Sequence, residues 1–180
     1  DGTDSLQLGN EDPSLSELTV SADTEEGLVF NDSTVTCAAT VTDPEDRGVE
    51  TIVSWTNETT GDSLGSDPVL TLSAALATPG DSLLCTAAAT DADGGTATDS
   101  VAVTVENRDP ETGEITVSPA APTSQDDVSC AAASASDPDE DGVSVSYSWQ
   151  RDGAAAGVGD AIAEPHDVGE VLTCIVTATD

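Results

Sequence analysis

The chain has 180 residues, of which 36 are aspartate or glutamate, three are arginine and none is lysine, so its formal net charge is −33. This charge excludes nucleic acid as a partner, because nothing here could supply phosphate contacts, and it disfavours contact with anionic lipid. Apolar residues make up 37% of the chain and aromatic residues 2%, and no apolar run is long enough to predict a membrane span.

The opening residues resemble the end of a repeat. Residues 4–13 contain Asp-Ser, then Leu-Gln-Leu, then Asn-Glu-Asp-Pro, and residues 99–110 contain Asp-Ser, an alternating segment from Val101 to Val105, then Asn-Arg-Asp-Pro. We therefore predict that residues 1–12 are the last strand and the linker of a preceding repeat.

Two halves follow, and both alternate apolar with polar or small residues at a period of two. Such alternation, bounded by Gly, Pro, Asp and Asn clusters, is typical of short antiparallel strands, and helix signals are missing. The segments are Val35–Val41, Val49–Trp55, Leu83–Ala89 and Val101–Val105 in the first half, and Val128–Ala132, Val143–Trp149 and Leu172–Ala178 in the second. Arg151-Asp152-Gly153 after Trp149 predicts a tight hairpin turn, in which Gly153 can take positive φ. We predict an all-β fold of two tandem antiparallel sandwiches, residues 13–109 and 110–180.

The second half reaches Ala178-Thr179-Asp180, which matches Ala89-Thr90-Asp91 before the last strand of the first half. We therefore expect the second sandwich to lack its own last strand within these residues. Three explanations stay open: a window on a continuous array, donor-strand exchange in which residues 1–10 of one copy complete the second domain of the next, or an arbitrary fragment. The first two predict copies of the chain as head-to-tail partners, in an assembly that does not close.

A Cys–Trp–Cys frame recurs in both halves, as Cys37, Trp55 and Cys85 and as Cys130, Trp149 and Cys174. With Val-Thr-Cys-Ala-Ala, Asp-Pro-x-x-x-Gly and Leu-x-Cys-x-x-x-Ala-Thr-Asp, the chain resembles the immunoglobulin-like, PKD-like tandem repeats of large secreted bacterial surface proteins. The resemblance implies a sandwich of about seven strands, with a disulfide between the sheets packed against a core tryptophan. Leu83 and Leu172 depart from the antibody pattern, which has tyrosine two residues before the second cysteine.

Disulfides would support cores of small side chains, which bury little area each. The resemblance implies that Cys37 pairs with Cys85 and Cys130 with Cys174. Disulfides also explain these cysteines better than metal ligation does, since the sequence has no Cys-x-x-Cys motif or histidine partner. Two like-spaced cysteine pairs also indicate an oxidising, extracellular compartment.

Acidic residues concentrate in the linkers and in two loops of each half. In a sandwich of this topology the entering linker meets the loops between the second and third strands and between the last two, an arrangement similar to the calcium-stiffened junctions of cadherins. We predict candidate Ca²⁺ ligands at these junctions. They are Glu11, Asp12, Asp43, Glu45, Asp46, Asp91 and Asp93 at the first junction, and Asp109, Asp137, Asp139, Asp141 and Asp180 at the second. The alternatives are ordinary Asp-Pro and Asp-Gly turns, and a general adaptation to salt.

No catalytic residue is predicted, because the sequence contains no nucleophile elbow and no phosphate-binding loop. The single histidine, His166, lies in a proline-marked loop and is interpreted as solvated. Asn31 and Asn57 begin N-glycosylation sequons.

The favoured function is a structural module of an extracellular fibre, stalk or surface filament, because near-equivalent copies in series suit a spacer. The alternatives are an adhesin segment that binds another cell or surface, and accessory domains of a secreted enzyme.

Overall fold

A computed structural model of the protein describes residues 4–6, 9–45, 48–163 and 165–180. These residues form strands, turns and loops, and the strands pair antiparallel in several sheets, so the prediction of an all-β antiparallel fold is confirmed. The chain separates into two compact units, Asp1–Asn107 (unit 1) and Arg108–Asp180 (unit 2). No helix capable of crossing a membrane occurs in the part of the chain described.

The described residues of unit 1 form two sheets, with strand orders β1-β2-β5 and β4-β3-β6-β7. Its strands are β1 (Ser14–Ala22), β2 (Thr34–Thr42), β3 (Glu50–Asn57), β4 (Ser63–Gly65), β5 (Val69–Thr71), β6 (Ser82–Thr90) and β7 (Thr96–Thr104). The period-two pattern produces the expected faces: alternate residues of β6 are buried, and the residues between them are half-buried.

The core of unit 1 is centred on Trp55, which is completely buried with Val35, Leu83 and Val105. The indole nitrogen of Trp55 donates a hydrogen bond to the carbonyl oxygen of Asp67 at 3.1 Å, so the ring's polar atom has a partner. A disulfide between Cys37 on β2 and Cys85 on β6 joins the two sheets through this core.

Unit 2 repeats this construction in smaller elements. Its strands are β8 (Glu111–Thr112), β9 (Ile115–Ser118), β10 (Val128–Ala132), β11 (Ala135–Ser136), β12 (Ser144–Arg151), β13 (Ala154–Val158), β14 (Ala161–Ile162) and β15 (Leu172–Thr179). The sheets have the orders β14-β10-β9, β11-β8 and β13-β12-β15. Trp149 is 1% exposed, and the Cys130–Cys174 disulfide joins β10 to β15.

The predicted hairpin turn of unit 2 joins β12 to β13 through Asp152 and Gly153. Both residues have positive φ, 47° and 83°, the geometry that suits a two-residue turn between twisted strands. The sequence prediction of this turn is therefore confirmed.

The predicted opening strand lies partly outside the described residues, whereas the last strand of unit 2 is described. Residues 4–6 and 9–12 belong to no strand, and the remainder of the predicted opening strand (1–3, 7 and 8) lies outside the described residues. Among the described residues, β6 pairs with both β3 and β7, whereas its counterpart β15 pairs with β12 alone.

Candidate functional site

The acidic loops of unit 1 lie against the linker that precedes β1. The backbone N–H of Glu11 donates to Oε2 of Glu45 at 3.2 Å. The Asn10 side chain donates to Oδ2 of Asp91 at 2.9 Å. The linker therefore meets the loop between β2 and β3 and the loop between β6 and β7 at one end of the unit. We call this end the linker end of unit 1.

Asp91 is the most connected acidic side chain at the linker end of unit 1. Its Oδ1 accepts hydrogen bonds from the backbone N–H groups of Asp93 at 2.9 Å and Gly95 at 2.8 Å. The hydrogen bond from Asn10 has the largest effect on the pKa of Asp91, and with the backbone donors it holds that pKa below its ordinary value despite partial desolvation. Asp91 is thus kept ionised as an anchor for the linker.

Gly95 allows the linker to approach this closely. A Cβ atom at position 95 would lie 2.7 Å from Oδ1 of Asp12 and 3.0 Å from Nδ2 of Asn10, and closer still to the Asp91 carboxylate. No side chain fits there, because the side chains of Asn10, Asp12 and Asp91 all approach position 95.

Asp43 stabilises its own loop with one oxygen. Its Oδ1 accepts a hydrogen bond from the backbone N–H of Glu45 at 2.9 Å, the turn typical of Asp-Pro sequences. Its Oδ2 is buried and has no hydrogen-bond partner among the described residues. Asp46, the other predicted ligand of this loop, lies outside the described residues.

Unit 2 has the same linker contact with one change. The backbone N–H of Arg108 donates to Oδ2 of Asp139 at 2.6 Å, the counterpart of the Glu11–Glu45 contact. The Arg108 guanidinium adds Nη2 at 2.7 Å and Nε at 2.9 Å from Oδ1 of Asp139, whose side chain is 0% exposed. We call the region formed by Arg108, Asp109, Asp137–Asp141 and Asp180 the linker end of unit 2. Arg108 supplies a positive charge there that is covalently part of the chain.

The aspartates at the linker end of unit 2 also interact electrostatically with one another. Desolvation raises the pKa of Asp141, and the negative charges of Asp137, Asp139 and Asp180 raise it further. Asp137 repeats the arrangement of Asp43: its Oδ1 accepts the N–H of Asp139 at 2.6 Å, and its Oδ2 is buried without a hydrogen-bond partner in the described part of the chain. Asp109 lines a shallow groove with Asp180.

The candidate calcium ligands that the structure describes lie at the two linker ends, and Asp46 lies outside the described residues. Within the described residues, no group of three or more carboxylate, histidine or cysteine side chains has an arrangement that could hold a metal ion. Several of the carboxylate oxygens accept hydrogen bonds from the linkers and loops themselves, and Arg108 forms an ion pair with Asp139. Calcium binding stays a prediction.

His166 is not solvated, contrary to the sequence interpretation. Its side chain is 6% exposed, its Nδ1 lies 3.9 Å from Oε2 of Glu170, and neither ring nitrogen has a hydrogen-bond partner among the described residues. The loop that carries it folds back over the core, and its backbone N–H donates to the carbonyl of Ser124 at 3.0 Å.

Both sequon asparagines are buried, so the folded unit presents neither as a glycan acceptor. Asn31 is 2% exposed and Asn57 is 0% exposed. The Asn57 amide donates to Oδ2 of Asp81 at 2.8 Å and its carbonyl oxygen accepts the N–H of Thr59 at 3.0 Å. Asn57 is a buried structural polar residue.

Sequence reasoning missed this Asn57–Asp81 pair and its counterpart. Arg151 and Glu170 stand at the same positions of the repeat, two residues after the tryptophan and four before the second cysteine, and their side chains are 3.3 Å apart. The signal available in the sequence was that both positions are polar in each repeat, and that the pair is an amide with an acid in unit 1 and an arginine with an acid in unit 2.

Replacing Asn10 by alanine is expected to raise the pKa of Asp91 towards the ordinary aspartate value of about 3.9. The folded-state pKa is depressed, so its stabilising contribution is present above that value and lost as the pH falls through the folded pKa. The variant should therefore unfold at higher pH than the parent. NMR titration of the Asp91 carboxyl carbon measures the shift. Glu11→Ala, which keeps the backbone donor, is the control, and equal Asp91 titration in all three proteins would contradict this account.

Replacing Arg108 by alanine is expected to destabilise unit 2 by about 1–3 kcal/mol, because a buried carboxylate loses its charged donors but keeps one backbone N–H. Arg108→Lys should recover part of this, since lysine restores the charge without the fork geometry. Urea unfolding followed at the Trp149 indole signal reports on the unit. A loss below about 0.5 kcal/mol would indicate a solvated, unimportant pair.

Comparison of the sequence with models of known protein families and with curated proteins finds no match to either.

Proposed function

We propose that the chain is a structural repeat module of an extracellular fibre, stalk or surface filament. The observation that carries this proposal is the duplication of one construction: a disulfide between sheets, a buried tryptophan, and a linker N–H bonded to a loop carboxylate. Near-equivalent copies in series are what a spacer requires, because each unit adds length and the same interactions support every unit.

The disulfides suit a module that carries load. The Cys37–Cys85 and Cys130–Cys174 bonds enclose loops of 48 and 44 residues. When a unit is pulled from its ends, the enclosed residues cannot extend, so each unit lengthens less on unfolding. Disulfides also match the oxidising, extracellular location that we propose.

Cations would complement the linker ends. The net charge of −33 makes the chain repel itself unless cations gather on it. Supporting a more specific role, Asp43 Oδ2 and Asp137 Oδ2 occupy equivalent positions in the repeats and are buried without hydrogen-bond partners in the described residues. Oxygens of this kind suit Ca²⁺, and we propose that Ca²⁺ stiffens the linkers from these positions.

Calorimetric titration with Ca²⁺ at high monovalent salt tests the calcium proposal. We expect saturable heat that Asp43→Asn and Asp137→Asn each reduce, with Asp4→Asn as the control at an exposed position. Heat that is not saturable, or that all variants share, would make these loops ordinary turns and the salt dependence general.

An adhesin segment is the second candidate, and one observation bears on it. A cavity is present in unit 2 at a position that is filled in unit 1, which gives one unit a surface that the other lacks. We propose no catalytic role for either unit.

Stretching single molecules from their two ends tests the structural function. We expect two resolved unfolding events. Reduction of the disulfides frees loops of 48 and 44 residues, so the length gained in the two events should increase by about 160 Å and 150 Å at roughly 3.4 Å per residue. Extension without resolvable unfolding events in the oxidised protein would contradict a load-bearing role.

A further inference from the structure

A cavity of about 560 Å³ opens in unit 2 between the start of β10 and the loop before β15. Val117, Pro122, Val128 and Leu172 provide apolar walls, and His166 and Gly169 form part of the opposite side. The ring nitrogens of His166 have no hydrogen-bond partner among the described residues, whereas a buried polar side chain normally has one.

Unit 1 fills the same position with its own chain. Counting from the cysteines, Val29, Gly80 and Asp81 of unit 1 correspond to Pro122, Gly169 and Glu170 of unit 2. In unit 1 these residues surround Val105, which follows β7 and is 1% exposed.

The backbone of Val105 is held on both sides in unit 1. Its carbonyl accepts the N–H of Gly80 at 2.8 Å, and its N–H donates to the carbonyl of Asp81 at 2.9 Å. The next N–H, of Glu106, donates to the carbonyl of Val29 at 2.7 Å. A strand end is therefore clamped between two loops.

The turn that offers these groups is built in the same way in unit 2. Gly80 and Gly169 have φ values of 87° and 92°, which favour glycine. The N–H of Asp81 bonds the carbonyl of Thr78, and the N–H of Glu170 bonds that of Asp167, both at 3.1 Å. The loop of unit 2 is thus shaped to receive a strand backbone.

Burial along β15 indicates the same missing cover. Leu83, Cys85, Ala87 and Ala89 of β6, which pairs with β7, are fully buried. Their counterparts on β15 are all only half-buried, namely Leu172, Cys174, Val176 and Ala178.

We propose that the cavity and the edge of β15 not paired with β12 form an acceptor for a β-strand of the protein's own repeat type. The strand adds antiparallel to β15, as β7 does to β6, with branched apolar residues at alternate positions. Its last apolar residue enters the cavity between Pro122 and Gly169. This inference rests on the proposed function, because the occupant is a strand of the repeat itself.

Two forms of that strand test the proposal on the 180-residue chain. One is a labelled peptide of residues 96–107, titrated by fluorescence anisotropy and mapped by NMR. The other is the chain with residues 92–107 appended after Asp180, examined by amide hydrogen exchange. We expect saturable peptide binding with shifts at Gly169, Glu170 and β15, or at least tenfold slower exchange of β15 amides in the extended chain.

Matched variants identify the surface. Val105→Asp in either strand should reduce binding or protection at least about tenfold, because one buried valine becomes charged. Pro122→Asp at the cavity mouth should do the same, whereas Ala154→Asp adds the same charge to an exposed site of β13 and should have no effect.

Slower exchange of the β15 amides in the extended chain, without measurable binding of the separate peptide, would still support the acceptor. Tethering raises the effective concentration of the strand. The proposal is overturned if neither form protects β15, if Val105→Asp has no effect, or if the peptide shifts unit 1 only. None of these results would alter the two unfolding events expected on stretching, so the structural function fails or stands separately.

Discussion

Replacing Cys37 and Cys85 together by alanine is expected to lower the free energy of unfolding of unit 1 by about 4 kcal/mol. The disulfide closes a 48-residue loop, and the chain-entropy model gives about this value for the freedom that the unfolded chain regains. The effect is large for a unit whose core contains Val, Ala and Leu around one tryptophan, because small domains have little stability to lose.

Urea unfolding of the parent and the variant measures this loss, with the Trp55 and Trp149 indole signals resolved by NMR. The matched control is the Cys130→Ala, Cys174→Ala pair, which opens a loop of 44 residues and should destabilise unit 2 by a similar amount. Each pair should affect its own unit. Loss of both units with either pair would contradict the two separate cores.

Replacing Trp55 by alanine is expected to cost unit 1 about 3–5 kcal/mol, the range for removing a buried aromatic side chain from a packed core. Trp55 is 0% exposed and packs in one cluster with Cys37, Cys85 and Val35. Its loss also removes the donor to the Asp67 carbonyl. We expect Trp55→Ala to leave unit 1 largely unfolded at 25 °C.

Trp55→Phe keeps the fold measurable, because phenylalanine fills most of the space but lacks the indole N–H. We expect an intermediate loss of about 1–3 kcal/mol from the smaller ring and the unpaired carbonyl. Trp149→Phe is the matched change, since the Trp149 indole donates to the Gly159 carbonyl at 3.1 Å. A Trp55→Ala loss below about 1 kcal/mol would show that the core is not organised around this ring.

The strands were predictable because their signal is local. A period of two places alternate residues on one face, and burial of that face determines the register, as on β6. The hairpin at Asp152-Gly153 was predictable for the same reason, since positive φ at two consecutive residues favours these residue types.

The linker ends were predictable in location but not in chemistry. Strand order brings the linker to the acidic loops, but the choice between Arg108 and Asp109 as the residue that contacts Asp139 depends on how the backbone enters β8. A line of acidic residues indicated where the linker meets the loops, and the side chain that contacts Asp139 there is Arg108.

Burial of the loop polar groups was also beyond the sequence. The sequence around His166 is typical of an exposed loop, and Asn57 begins a sequon. Both side chains are nevertheless buried, because the loops fold back onto the core. The Asn57–Asp81 hydrogen bond joins residues 24 positions apart. Burial raises the pKa of Asp81, but hydrogen bonds from the Thr78 backbone and the Asn57 side chain, with smaller ones from Thr59 and Thr78, hold it below its usual value.

Peptide mapping of the non-reduced protein by mass spectrometry is the most direct measurement of the central claim, that one crosslinked unit is built twice in series. The account predicts two linked peptide pairs, Cys37 with Cys85 and Cys130 with Cys174, and no unmodified thiol. Bonds between the halves, or free thiols in natively folded protein, would contradict it.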